Sequence, residues 1–153
     1  MTYPLLILDD DQPILNALQE TLKLEGYECF GTVHANDALT FLQKRKFSVV
    51  LTDQRMAEMP GTQFLKQVKV VQPWCTRVLL TGVLTSDMFL EAINEAEIFR
   101  CLPKPWMRQQ LISVVKDAYH YFEKNWAHEK AVQSLLEVNQ KLVDENVHLR
   151  MQK

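Results

Sequence analysis

The stretch Ser48-Val49-Val50-Leu51-Thr52-Asp53-Gln54-Arg55-Met56 decides the fold. Its β-branched and apolar run reads as a short buried strand. The run ends in one carboxylate, Asp53, and a polar loop follows as far as Pro60-Gly61. In open α/β sheets, ligands and chemistry collect at the carboxyl ends of the strands. Asp53 therefore sets a test: other strands should bring reactive groups to the same edge. Three do. Leu5-Leu6-Ile7-Leu8 runs into Asp9, Asp10 and Asp11. Arg77-Val78-Leu79-Leu80 runs into Thr81-Gly82. Ile98-Phe99-Arg100-Cys101-Leu102 runs, one residue on, into Lys104-Pro105.

Helical patterns separate these strands. After a first strand over 4–9, Asp11 caps a helix with Pro13 at its first position. Ile14, Leu15, Leu18 and Leu22 form its buried face and Gly26 ends it. A second strand covers 27–33. Asn36 caps a second helix with Ala38, Leu39, Phe41 and Leu42 inward, and the third strand covers 47–52. A third helix over 62–71 turns Phe64, Leu65 and Val68 inward before Pro73 stops it. A fourth, over 85–97, carries the stripe Phe89, Ala92, Ile93 and Ala96. Strands alternating with helices predict an α/β fold: a doubly wound, five-stranded parallel sheet with helices on both faces. Five such units suit the flavodoxin-like order 2-1-3-4-5, which is taken over from known folds and not deduced from these residues.

The chain has 153 residues, 47% of them hydrophobic, enough for one core. A net charge of −2 and a pI of about 6.1 exclude an overall basic footprint for nucleic acid or an anionic membrane. No apolar run has the length of a membrane span and no signal-peptide pattern opens the chain. Cys29, Cys75 and Cys101 are odd in number and scattered, as expected of thiols in a reducing cytoplasm. His34, His120, His128 and His148 show no metal-binding spacing. Trp74, Trp106 and Trp126 read as packing anchors.

All four glycines and all six prolines lie at or before Pro105. From Met107 onward nothing breaks a helix of roughly 65–70 Å, far longer than one small domain covers. Leu111, Val114, Val115 and Ala118 suit packing on the sheet. Beyond them, Val132, Asn139 and Asn146 occupy heptad a positions, and Leu135, Leu142 and Leu149 occupy d positions. Leu at d with a β-branched residue or Asn at a predicts a parallel two-stranded coiled coil and hence a homodimer. Glu145 at g and Arg150 at the following e can pair across it; apolar Val138 and Val143 leave room for a larger bundle. Asn125 and His128, on the same seam, mark a weak, bendable segment. A tail helix folded back on its own domain is the competing reading, and two a-position asparagines argue against it. The expected division is a sheet domain over 1–121 and a helical dimerisation segment over 122–153.

Carboxylates converging on one point repel each other, and a hard divalent cation relieves this. Mg²⁺ would take Asp10 and Asp53 as direct ligands, the backbone carbonyl of Arg55 as a third, and Asp9 through a water. Asp53 can also act as a nucleophile toward phosphorus. Phosphoryl transfer needs positioning and charge neutralisation, which Mg²⁺, the Lys104 ammonium and the Thr81 hydroxyl would supply together.

The set Asp9-Asp10, Asp53, Thr81 and Lys104-Pro105, each after its own strand, resembles the receiver domain of bacterial two-component response regulators. The resemblance covers about residues 2–121. Asp53-Gln54-Arg55-Met56 and Leu102-Pro103-Lys104-Pro105-Trp106 resemble, more narrowly, receivers of hydrogenase-type transcriptional regulators and of regulators with HD-type phosphodiesterase outputs. The resemblance implies a cytoplasmic bacterial protein that takes a phosphoryl group from a phosphohistidine on a sensor histidine kinase or phosphotransfer protein. It implies Asp53 as acceptor, Asp9 and Asp10 as the acidic pocket, and no catalysis beyond Asp53's own phosphorylation and dephosphorylation. It implies that Thr81 and Lys104 report to the surface of helix four, strand five and the last helix, and that the Lys104–Pro105 peptide is cis. Three residues depart from the pattern. Cys101 stands where receivers commonly have an aromatic switch residue, so that switch is absent or Phe99 or Trp106 replaces it. Ala57 replaces a common proline, which loosens its loop, and Pro103 removes a strand N–H and is expected to stiffen strand five or end it early.

Other readings fit less well. Asp9-Asp10-Asp11 resembles the D-x-D of haloacid-dehalogenase-type phosphatases, with Asp9 as nucleophile and Asp11 as general acid. Gln12-Pro13 and Trp106-Met107-Arg108 do not suit that family's later pattern. A non-phosphorylated dimerisation scaffold is the other alternative. Direct DNA binding is disfavoured, since Lys116, Lys124 and Lys130 are sparse and interleaved with Asp117, Glu123 and Glu129. No output domain is visible, so the chain is expected either to stand alone or to lack a downstream output domain.

Overall fold

Among the described residues, five short strands and five helices alternate: β1 (Leu5–Leu8), α1 (Gln12–Leu24), β2 (Cys29–Thr32), α2 (Ala35–Lys44), β3 (Val49–Asp53), α3 (Gly61–Val71), β4 (Thr76–Thr81), α4 (Ser86–Asn94), β5 (Arg100–Pro103) and α5 (Arg108–Met151). The computed structural model describes residues 2–82 and 85–152. All strand pairs are parallel, in the order β2-β1-β3-β4-β5, as expected. Strand alternation divides the core into two layers. Leu6, Leu8, Val50 and Leu79 meet Ala38 and Leu42 of α2, Phe64 and Leu65 of α3 and Ala92 of α4. Leu5, Ile7, Leu51, Val78 and Leu80 meet Leu15, Leu18 and Leu22 of α1 and Leu111, Val115 and Ala118 of α5.

Register positions the site. Leu8 lies beside Thr52, Asp53 beside Leu80 and Thr81 beside Pro103. Asp9, Asp53, Thr81 and Lys104 therefore leave the sheet at one edge.

Several local expectations need correction. Gln12, not Pro13, is the first residue of α1, although Asp11 does cap it by accepting from the Ile14 N–H. Gly26, at φ 95°, ends the turn after α1, and Tyr27 N–H returns to the Leu22 carbonyl. Asn36 does not cap α2. The N-cap is His34, and the Ala35 N–H is satisfied by Glu58 Oε2 from a distant loop. Helix α4 stops at Asn94, and its inner stripe is narrower than expected: Ala92 and Ala96 are buried, but Phe89 and Ile93 are exposed. Strands β2 and β5 begin later than expected, at Cys29 and Arg100, while β4 is longer, over Thr76–Thr81. Pro103 does not end β5 early, since the strand runs through it, beside Thr81 of β4.

Helix α5 runs unbroken for 44 residues, about 66 Å. Leu111, Val115 and Ala118 are buried against the sheet, and Phe122 is buried beside Tyr3. Trp126 still touches the domain, its ring 5.3 Å from both Tyr3 and Trp74. Val132 is half-buried, and every residue from 133 to 152 is exposed.

Candidate functional site

The strand ends bring Asp9, Asp10 and Asp53 together. Each offers one carboxylate oxygen, and the three oxygens lie within 4.8 Å of one another. Asp9 is wholly buried. Its Oδ1 accepts from the Asp11 N–H at 3.0 Å. Its Oδ2 has no hydrogen bond among the described residues, and the Lys104 ammonium stands 3.5 Å away, too long for a good hydrogen bond. Burial raises the Asp9 pKa above its ordinary value, and the neighbouring Asp53 and Asp10 push the same way; the Asp11 N–H and Lys104 oppose the shift. Asp53 is buried at the end of β3, with Oδ1 3.2 Å from Lys104 Nζ. Asp10 is exposed, and its Oδ2 accepts from the Ala57 N–H at 3.3 Å.

Lys104 spans the pocket because β5 ends beside β4. Its N–H donates to the Thr81 carbonyl at 2.8 Å, and the Lys104–Pro105 peptide is cis. Thr81 is buried at the end of β4. Arg55 lies exposed in the loop after Asp53. Asp9, Asp10, Asp53, Thr81 and Lys104 thus gather at one edge, with the Lys104 ammonium against Asp9 and Asp53 and the Asp10 carboxylate beside both. Cys101 is half-buried on the face covered by α2, α3 and α4. Phe99 faces the other layer and stacks on Tyr121 of α5, with centroids 4.8 Å apart. Val132, Leu135, Asn139, Leu142, Asn146 and Leu149 lie along α5 beyond the sheet, remote from this edge.

Two further residues position the site and were not singled out from sequence. Gln54, next to Asp53, is buried. Its carbonyl oxygens, side chain and backbone, accept from Thr62 N–H at 2.9 Å and Gly61 N–H at 3.0 Å. The residue after Asp53 therefore caps α3, whose own N-cap, Pro60, offers no side-chain bond. Glu58 ties the same loop to α2: Oε1 lies 3.0 Å from His34 Nδ1 and Oε2 accepts from Ala35 N–H at 3.2 Å. No local periodicity signals either contact.

Three carboxylates against one ammonium leave two negative charges in excess. The donor set is all oxygen, and the buried Asp9 Oδ2 lacks a hydrogen-bond partner among the described residues. This suits a hard divalent cation such as Mg²⁺. Asp11, the general acid of the phosphatase reading, is exposed and serves as the cap of α1, accepting from the Ile14 N–H at 3.3 Å.

Comparison with known proteins points the same way. The hydrogenase transcriptional regulatory protein HoxA of Cupriavidus necator is 34% identical over 113 residues, which are 74% of this chain and 23% of that protein. The DNA-binding transcriptional regulator NtrC of Proteus hauseri is 31% identical over 119 residues, 77% of this chain and 25% of that protein. The chain thus spans about a quarter of the length of the curated relatives it matches. Among solved structures, the signal receiver domain of an HD domain-containing protein from Pseudomonas fluorescens Pf-5 superposes with a TM-score of 0.78 at 30% identity, covering 83% of this chain and 94% of that one. The family model for the response regulator receiver domain matches residues 5–116, so this chain belongs to the response regulator receiver family of two-component systems.

Proposed function

We propose that Asp53 is the phosphoryl acceptor of this receiver. The single observation that carries this reading is the clustering of the Asp9, Asp10 and Asp53 carboxylates, with the Lys104 ammonium against Asp9 and Asp53. In the forward step a carboxylate oxygen of Asp53 forms a P–O bond as the P–N bond of a phosphohistidine breaks, and the imidazole departs on the donor. Lys104 neutralises charge on the transferred group and Thr81 donates its hydroxyl to a phosphoryl oxygen. Asp10, Asp53 and the Arg55 carbonyl would hold Mg²⁺, with Asp9 acting through a water; bound there, the ion supplies charge neutralisation to the phosphoryl oxygens. The chemistry is confined to Asp53's own phosphorylation and dephosphorylation.

The partner is a sensor histidine kinase or a phosphotransfer protein, consistent with the regulators among its relatives. A cytoplasmic setting and a downstream output domain belong to the same proposal. No described helix is long and apolar enough to cross a membrane. Phosphorylation would change the state of a dimer or an output through Thr81, Lys104 and the α4–β5–α5 surface.

The test is intact mass after incubation with a small phosphodonor. Wild type should gain one phosphoryl group only with Mg²⁺, and Asp53→Asn should gain none. No adduct on wild type, where a control receiver is labelled, would favour the scaffold alternative. Donor turnover lost only in Asp9→Asn would restore the phosphatase.

A further inference from the structure

Past Trp126, helix α5 leaves its own domain behind. Beyond Val132 it presents an apolar face to water: Leu135 is 70% exposed, and Leu136, Val138, Leu142, Val143 and Leu149 are exposed as well. At roughly 25 cal/mol per Å² of apolar surface, such a face favours a partner. We propose that the partner is a second copy of this chain, bound as a parallel, in-register, two-stranded coiled coil from Val132 to Leu149.

Register and orientation follow from what each arrangement places side by side. In the parallel pair, Asn139 of one copy meets Asn139 of the other, and Asn146 meets Asn146. Each amide can then donate to and accept from its twin. An antiparallel pair mixes a with d layers and sets these amides against leucine, leaving them unsatisfied. The flanking positions agree. In a parallel pair each g residue faces the e residue five places on in the other copy. The three matches are Ala131 with Leu136, Val138 with Val143, and Glu145 with Arg150. The first two are apolar on apolar and the third is acid on base. Slipping one copy by a heptad would set Val138 against Arg150 and Val132 against Asn139. On a single helix, residues five apart do not face each other, so the Glu145–Arg150 match has meaning only between copies.

The domain also presents this seam in a set rotation. Trp126 packs on Tyr3 and Trp74, with centroids 5.3 Å apart in each case, and on Phe122 at 6.1 Å. The Lys46 and Lys130 ammonium groups lie 4.9 and 5.3 Å from the Trp126 ring centroid. Val132 follows six positions after Trp126, about 9 Å further along the unbroken helix. Both domains of the pair therefore sit at the same end of the coil. The seam does not depend on the phosphoryl chemistry, and its test does not use it.

Sedimentation equilibrium of the full chain across a concentration series should approach twice 17.9 kDa. Leu142→Glu should be monomeric with an unchanged domain melting temperature. Glu145→Arg should weaken dimerisation by about five- to ten-fold, as expected for two lost rim pairs replaced by like charges. Adding Arg150→Glu should restore it, which loss of helix content alone would not allow. In Leu149→Cys, mild oxidation followed by peptide mapping should find the 149-to-149 disulfide. A chain monomeric at every concentration, a trimer or tetramer, or no 149-to-149 disulfide would each overturn the parallel pair.

Discussion

Glu58 shows how much one side chain can hold in place. Its carboxylate accepts from the Ala35 N–H and reaches His34, so a loop residue supplies the cap that α2 lacks. Replacing a capping oxygen costs about 1 kcal/mol. Glu58→Ala should lower the unfolding free energy read from urea titrations by about that amount, and Glu58→Gln, which keeps an acceptor oxygen, by less. Asp9 gives a pH dependence of definite sign. Burial raises its pKa in the folded state above the unfolded value of 3.8. The folded protein then holds this proton more tightly than the unfolded chain does. The stability linked to Asp9 is whole below the unfolded value and is lost as pH rises through the folded one. Without Mg²⁺, Asp9→Asn should therefore be more stable than wild type at neutral pH. The gap should close as pH falls toward about 4, as read from denaturant midpoints. Adding Mg²⁺ should raise the melting temperature of wild type more than that of Asp9→Asn.

At the scale of elements, the joint between β3 and α3 is the tightest part of the site. A Cβ on Gly61 would collide with the Asp53 carbonyl and crowd Gln54 Cα. Gly61→Ala should cost about 1–3 kcal/mol, the usual range for overpacking, and should slow phosphorylation of Asp53 because the strand end must shift. Intact-mass time courses beside thermal melts would separate the two effects. Strand β4 carries a second device. The Arg77 guanidinium is buried and donates to the carbonyls of Cys75 at 2.8 Å, Ala96 at 2.9 Å and Glu97 at 3.3 Å. Burial lowers its pKa. These bonds close the segment after α4 onto the sheet. Arg77→Met should cost about 2–4 kcal/mol, since it strands carbonyls in a buried setting; calorimetry would measure it. The inner face of α4 was only half legible in the sequence. Phe89 and Ile93 follow helical spacing with Ala92 and Ala96, but only the alanines reach the sheet. Spacing sets which residues share a face; how far that face is covered depends on the neighbours.

At the scale of the molecule, a compact receiver carries a rod. Ending the chain after Ala131 should leave the domain's melting transition and its phosphorylation at Asp53 unchanged. The buried residues of α5 all precede that point, and Trp126 is retained. Circular dichroism and intact mass would check both. The sequence alone determined the α/β alternation, the convergence of Asp9, Asp53, Thr81 and Lys104 on one edge, and the unbroken final helix. These depend on strand direction, side-chain periodicity and the absence of glycine and proline, all local properties of the chain. Only the tertiary structure decided that Gln54 caps α3, that Glu58 caps α2, that Lys104 bridges Asp9 and Asp53, and that Trp126 anchors the rod against Tyr3 and Trp74. Apart from the Gln54 cap, each joins residues more than twenty positions apart. Even at eight, the Gln54 contact depends on how the loop turns back on itself. Local pattern has no access to such pairs, because the packing of sheet and helices creates them.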